Sequence, residues 1–147
     1  MTRNEAREII MQIVYELDAS DEMNVEKATS LCEERLAGNH RERGSRLLGS
    51  MIENLDRVDG MINACSTRWK TSRMPKVDLA IMRLAVSEML FDDDIPDAVA
   101  VNEAINMAKK YSTDNSAGFI HGVLGAISNR GDKGDGSLCH VEVQDEQ

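Results

Sequence analysis

The residues in this chain best suited to chemistry are cations that stand beside aromatic rings. Between Ser66 and Lys76 the sequence places Arg68, Lys70, Arg73 and Lys76 around Trp69, and near the N-terminus Arg3 and Arg7 precede Tyr15. Guanidinium and ammonium groups neutralise phosphates, and exposed rings stack on unpaired bases, so both groups suit single-stranded nucleic acid. Each also has a plainer reading. The first can be a solvated interhelical loop with Trp69 folded onto the core, and the second an ordinary charged helix surface. Only five aromatic residues occur in the chain, which makes an outward-pointing Tyr15 worth following. Arg41, Arg43 and Arg46, interleaved with Glu42, admit the same two readings.

Catalysis finds less support. Asp92, Asp93 and Asp94 read as a solvated turn ahead of a helix start, where carboxylates favour the macrodipole. Glu103, next to Asn102, reads as an anchor for a neighbouring loop or helix end. No nucleophile is spaced against a base, no glycine-rich loop is built to cradle phosphate, and no carboxylate pair suggests a cleft. His121 lacks a second His or Cys at i+3 or i+4, and Cys139-His140 offers at most two ligands, so no metal is expected. The chain reads as a non-enzyme without cofactors.

Helices must position these residues. Thr2 and Glu5 form a capping box, followed by the stripe Ala6, Ile9, Ile10, Ile13, Val14, Leu17. A second helix carries Val25, Ala28, Leu31, Cys32 and Leu36 and stops at Gly38-Asn39, residues that tolerate left-handed geometry. A long third helix is predicted from Leu48, Met51, Ile52, Leu55 and Ile62. From Val77 to Ile127 three further patterns follow, each with one apolar side, separated by FDDDIPDA and STDNS; Pro96 divides the first two. Gly118 and Gly122, one turn apart in the last, predict close packing against another helix. The expected fold is all-α, two small helical bundles packed into one domain over residues 1–128.

The formal charge of −9 weighs against nucleic acid, but it is uneven. Residues 131–147 hold five acids and one lysine, leaving −5 on residues 1–130, so a local basic face is compatible with the total. Residues 129–147 are glycine-rich and acidic and are expected to form a disordered tail. No apolar run approaches the roughly 18 residues of a membrane span. Cys32 and Cys65 lie on apolar stripes and read as small buried residues of a reducing, cytoplasmic compartment.

IPDAVAVNEAINMAKKY, with IMRLAVSEML before it and GFIHGVLGAI after it, resembles the C-terminal half of the transcription antitermination factor NusB family. AREIIMQIVYELD is similar to that family's first helix. The resemblance implies a protein that binds boxA-type single-stranded RNA of ribosomal RNA leader transcripts jointly with the ribosomal protein NusE, within an RNA polymerase antitermination complex. Arg3, Arg7 and Tyr15 would then address RNA, with Arg68, Lys70, Arg73 and the ring of Phe119 as further contacts. Asp78 and Asp114 would face the basic partner protein. NusB-like proteins commonly open with consecutive basic residues, whereas here Asn4 and Glu5 separate Arg3 from Arg7. RNA binding is therefore expected to be weak alone and to need the partner. The competing expectation is a NusB-like protein-interaction scaffold with little or no RNA binding; a homodimer remains an open arrangement.

Overall fold

Thr2 and Glu5 start the first helix as their spacing dictates. In the computed structural model, which describes residues 1–129, the Glu5 amide donates to Thr2 Oγ1 at 3.1 Å and the Thr2 amide to Glu5 Oε1 at 2.7 Å. Helix α1 (Arg3–Ala19) then buries Ala6, Ile10, Ile13, Val14 and Leu17. Asn24 caps α2 (Val25–Arg35) by accepting from the Lys27 amide at 2.8 Å. Gly38, at φ +59°, makes the turn into α3 (Asn39–Glu53), a conformation in which a β-carbon is strained.

The predicted long third helix is two helices. Asn54 leaves helical geometry at φ −120°, its side-chain amide donating to the Ser50 carbonyl at 2.8 Å, and α4 (Leu55–Cys65) begins at once. Asparagine bonding to its own backbone competes with the helix ladder, and this redirects the chain without a loop. After the linker come α5 (Lys76–Phe91), α6 (Asp97–Tyr111), which starts directly after Pro96, and α7 (Asp114–Ser128), capped by Thr113.

Helices α1 to α3 pack together, α4 to α7 pack together, and α5 touches α1 and α3 on one side and α6 and α7 on the other. Every residue of α5 from Asp78 to Met89 is buried. It is the spine of one continuous core rather than the one-sided helix that its pattern predicts. Its polar residues explain the difference, because each is buried with a partner. Ser87 donates to the Arg83 carbonyl at 2.7 Å, and Arg83 forks onto Asp59 at 2.9 and 2.7 Å.

The glycine expectation is overturned. A β-carbon at Gly118, Gly122 or Gly125 would meet nothing within 4 Å, so α7 turns its glycines to open space. The close approach is at Gly44 instead, where a β-carbon would lie 2.7 Å from Leu36 Cδ1 and 3.4 Å from Cys32 Sγ and Ile10 Cδ1. Cys32 and Cys65 are both buried. The expected acidic tail and Cys139-His140 lie outside the described residues.

Candidate nucleic-acid interface

The linker between α4 and α5 is held in place despite its polar sequence. Asn63 on α4 accepts from the Thr71 amide at 2.8 Å and donates to Thr71 Oγ1 at 3.3 Å, while Ser66 Oγ donates to the Trp69 carbonyl at 2.5 Å. A single 3₁₀ turn over Thr71–Arg73 follows, and Met74 is buried beneath it. Arg68, Lys70 and Arg73 remain exposed. Trp69 is 38 % exposed and meets the half-buried Phe119 of α7 edge-on, with centroids 5.1 Å apart and planes at 70°. The Arg68 guanidinium sits over the indole at 4.9 Å. The plain reading of Trp69 as folded onto the core does not hold: the ring meets Phe119 edge-on and stays exposed beside a cation.

Tyr15 is 40 % exposed on α1. It shares a helix face with Glu8 and Gln12, and Asp18 follows one turn later. These neighbours fix its surroundings. Asp18 meets Lys76, at the start of α5, at 3.3 Å and Arg83, in its middle, at 3.7 Å. Gln12 Nε2 donates to Tyr111 Oη at 3.4 Å. Glu8 accepts from Lys110 at 2.8 Å and from the Tyr111 hydroxyl at 2.5 Å. The Lys110 bond, then the Tyr111 bond, hold the Glu8 carboxyl below its usual range. Tyr15 thus stands one turn before Asp18, whose ion pair with Lys76 joins the end of α1 to the start of α5, directly after the basic linker. An exposed ring on α1, and on the linker a fixed ring pair with exposed cations, match unpaired bases and their phosphates.

The arginines of α1 do not join that group. Arg7 is 4 % exposed: its Nε donates to both Glu88 oxygens at 3.3 and 3.1 Å, its Nη2 lies 3.0 Å from Oε2, and its Nη1 donates to Asn4 at 2.7 Å. Burial pushes the Glu88 carboxyl up, opposed by the Arg7 hydrogen bonds. The expectation that Arg7 contacts RNA is corrected accordingly, since its guanidinium is spent on joining α1 to α5. The signal was available: Arg7, Met11 and Val14 fall at i, i+4 and i+7, and all three are buried. Arg3 is exposed, but twelve residues before Tyr15, about 18 Å along the helix.

Of the two proposed partner-facing acids, Asp78 is also corrected. It is 0 % exposed, and its carboxylate accepts from Ser112 Oγ and Ser116 Oγ, each at 2.7 Å. It ties the start of α5 to the α6–α7 turn and offers nothing to a second protein. Asp114 is exposed in the first turn of α7. The residues that sequence reasoning missed are the supports, Asn63 and Ser66 under the linker and Lys110 and Tyr111 beside α1. Among the described residues no three His, Cys, Asp or Glu are grouped to hold a metal ion, and no helix is long and apolar enough to cross a membrane.

Among the described residues seven helices pack around a buried α5, and this array has clear relatives. The family model described as the NusB family matches residues 4–129. The transcription antitermination protein NusB of Natranaerobius thermophilus is 40 % identical over 134 residues, covering 88 % of this chain and 96 % of the relative. The solved structure of T. maritima NusB superposes with a TM-score of 0.80 at 28 % identity, covering 88 % of this chain and 92 % of that one. A structure described as antitermination factors NusB and NusE in complex with dsRNA shares the fold, with a TM-score of 0.73 at 24 % identity over 87 % of this chain and 98 % of that one. The chain belongs to the NusB family, a family of transcription antitermination proteins and not of enzymes.

Proposed function

We propose that this chain binds boxA-type single-stranded RNA of ribosomal RNA leader transcripts jointly with the ribosomal protein NusE, as part of a cytoplasmic RNA polymerase antitermination complex. The observation that carries the reading is the exposed Trp69, with Arg68 over its indole, on a linker clamped by Asn63 and Ser66 and set edge-on to the half-buried Phe119 of α7. Two unstacked bases would rest on these rings and on Tyr15, and Lys70 and Arg73 would meet the intervening phosphates. Ordering the linker beforehand lowers the entropy lost on binding. Asp114, exposed beside this end, would meet a basic partner protein, so each ligand raises the other's affinity.

The scaffold reading, with little or no RNA binding, draws on one observation: Arg7 is neutralised by Glu88, which leaves α1 with a single exposed arginine, Arg3. Fluorescence anisotropy on a boxA-type RNA, with and without NusE across a salt series, separates the two. RNA binding strengthened by NusE and weakened by Trp69→Ala supports the first. NusE binding that leaves RNA affinity undetectable supports the second.

A further inference from the structure

A second cationic surface lies at the opposite end of α1. Arg3, the turn at Ala37–Gly38–Asn39, and His40, Glu42, Arg43 and Arg46 of α3 enclose an open groove of about 600 Å³ together with Met1 and Asp94. His40 Nε2 lies 3.1 Å from the Met1 carbonyl and fixes the N-terminus to α3. Arg43 is bridged to Asp92, which holds the α5 end of the wall. Arg3 and Arg46 are exposed, and neither is engaged by a carboxylate among the described residues. The groove is also where α3 begins; its first amides are already engaged, His40 and Arg41 donating to the Ala37 and Gly38 carbonyls, each at 3.2 Å. Two exposed guanidinium groups and a histidine line one concavity, against the carboxylates of Glu42 and Asp94.

We propose that this groove takes a phosphodiester of the same RNA, with Arg46 and Arg3 as the charged contacts and His40 positioning the N-terminus. The inference rests on the RNA reading above and extends it: the strand would run along α1 from the Tyr15 end to the α3 end, about 18 Å away. Arg7, buried between these ends, cannot supply the contact, so α3 does.

The test is anisotropy on the full chain with a dodecamer and a trinucleotide of the same single-stranded sequence, at several salt concentrations. With the dodecamer, Arg46→Ala is expected to lower affinity three- to ten-fold near 0.1 M salt and to reduce the salt slope by about 0.7, with Arg46→Lys restoring the slope. With the trinucleotide, too short to reach both ends, Arg46→Ala has no effect while Trp69→Ala still weakens binding. An unchanged slope in Arg46→Ala, with binding still sensitive to Trp69→Ala, overturns the groove and leaves the ring site standing. Failure of the wild type to bind RNA even with NusE overturns both. Equal competition by inorganic phosphate and by RNA at matched phosphate concentration overturns the strand assignment in favour of a small-anion site.

Discussion

Replacing Arg7 by methionine separates a structural arginine from an RNA-binding one. The guanidinium and the Glu88 carboxylate are each about 5 % exposed and hydrogen-bonded to one another across α1 and α5. Removing one partner strands the other charge in the core, which destabilises a protein by about 3–5 kcal/mol. For a chain of this size that corresponds to a melting temperature lower by roughly 10–20 °C. Burial already raises the Glu88 pKa above its ordinary 4.5, and losing Arg7 raises it further. A carboxyl with a raised folded pKa binds its proton more tightly when folded. Its contribution is therefore present below about pH 4.5 and is lost as pH rises through the folded value. The Arg7→Met deficit should accordingly be smaller at pH 5 than at pH 7, and Arg7→Met/Glu88→Leu should recover most of the stability. Calorimetry at the two pH values reads the deficit, and anisotropy below the melting transition reads RNA affinity, which should be unchanged per folded molecule. An unaltered melting temperature with a salt slope reduced by about 0.7 would refute the assignment of Arg7 to the core.

Trp69→Ala should weaken RNA binding by about 1–3 kcal/mol with little change in melting temperature, measured by anisotropy and calorimetry on the same sample. Asp78→Ala leaves the Ser112 and Ser116 hydroxyls without their acceptor and should destabilise by roughly 2–3 kcal/mol in urea unfolding; a neutral result would contradict its role as the α5 to α6–α7 tie. Gly118→Ala and Gly122→Ala, facing open space, should each stabilise by roughly 1 kcal/mol through helix propensity. Gly44→Val should instead destabilise by about 1–3 kcal/mol because its side chain enters the Leu36–Cys32–Ile10 contact, and the opposite ordering of these variants in thermal melts would refute the packing account.

Helix starts and stops were readable from local chemistry. The Thr2–Glu5 box, the Gly38 turn and the Pro96 break each act within a few residues, and each stands where its side chain dictates. The outward Tyr15 was readable too, since it falls about half a helical turn from the apolar stripe. What the pattern concealed were pairings across the fold. Arg7 and Glu88 lie 81 residues apart, and Asp78 finds its serines 34 and 38 residues on. Without those partners each reads as a surface charge. The same blindness made α5 look one-sided, because a helix whose polar residues are all satisfied by neighbours can be buried all round. Gly118 and Gly122 misled for the opposite reason: their spacing permits close packing but does not supply a helix to pack against.

The central claim is that the end of the molecule carrying Trp69, Phe119 and Tyr15 is a platform for unpaired bases. Its most direct test is anisotropy of a boxA-type single-stranded RNA titrated with wild type, Tyr15→Ala and Trp69→Ala in the presence of NusE. The account predicts that each variant lowers RNA affinity by about ten-fold or more while NusE binding and melting temperature hold, within the range measured for lost base stacking. Wild-type RNA affinity in both variants would contradict it.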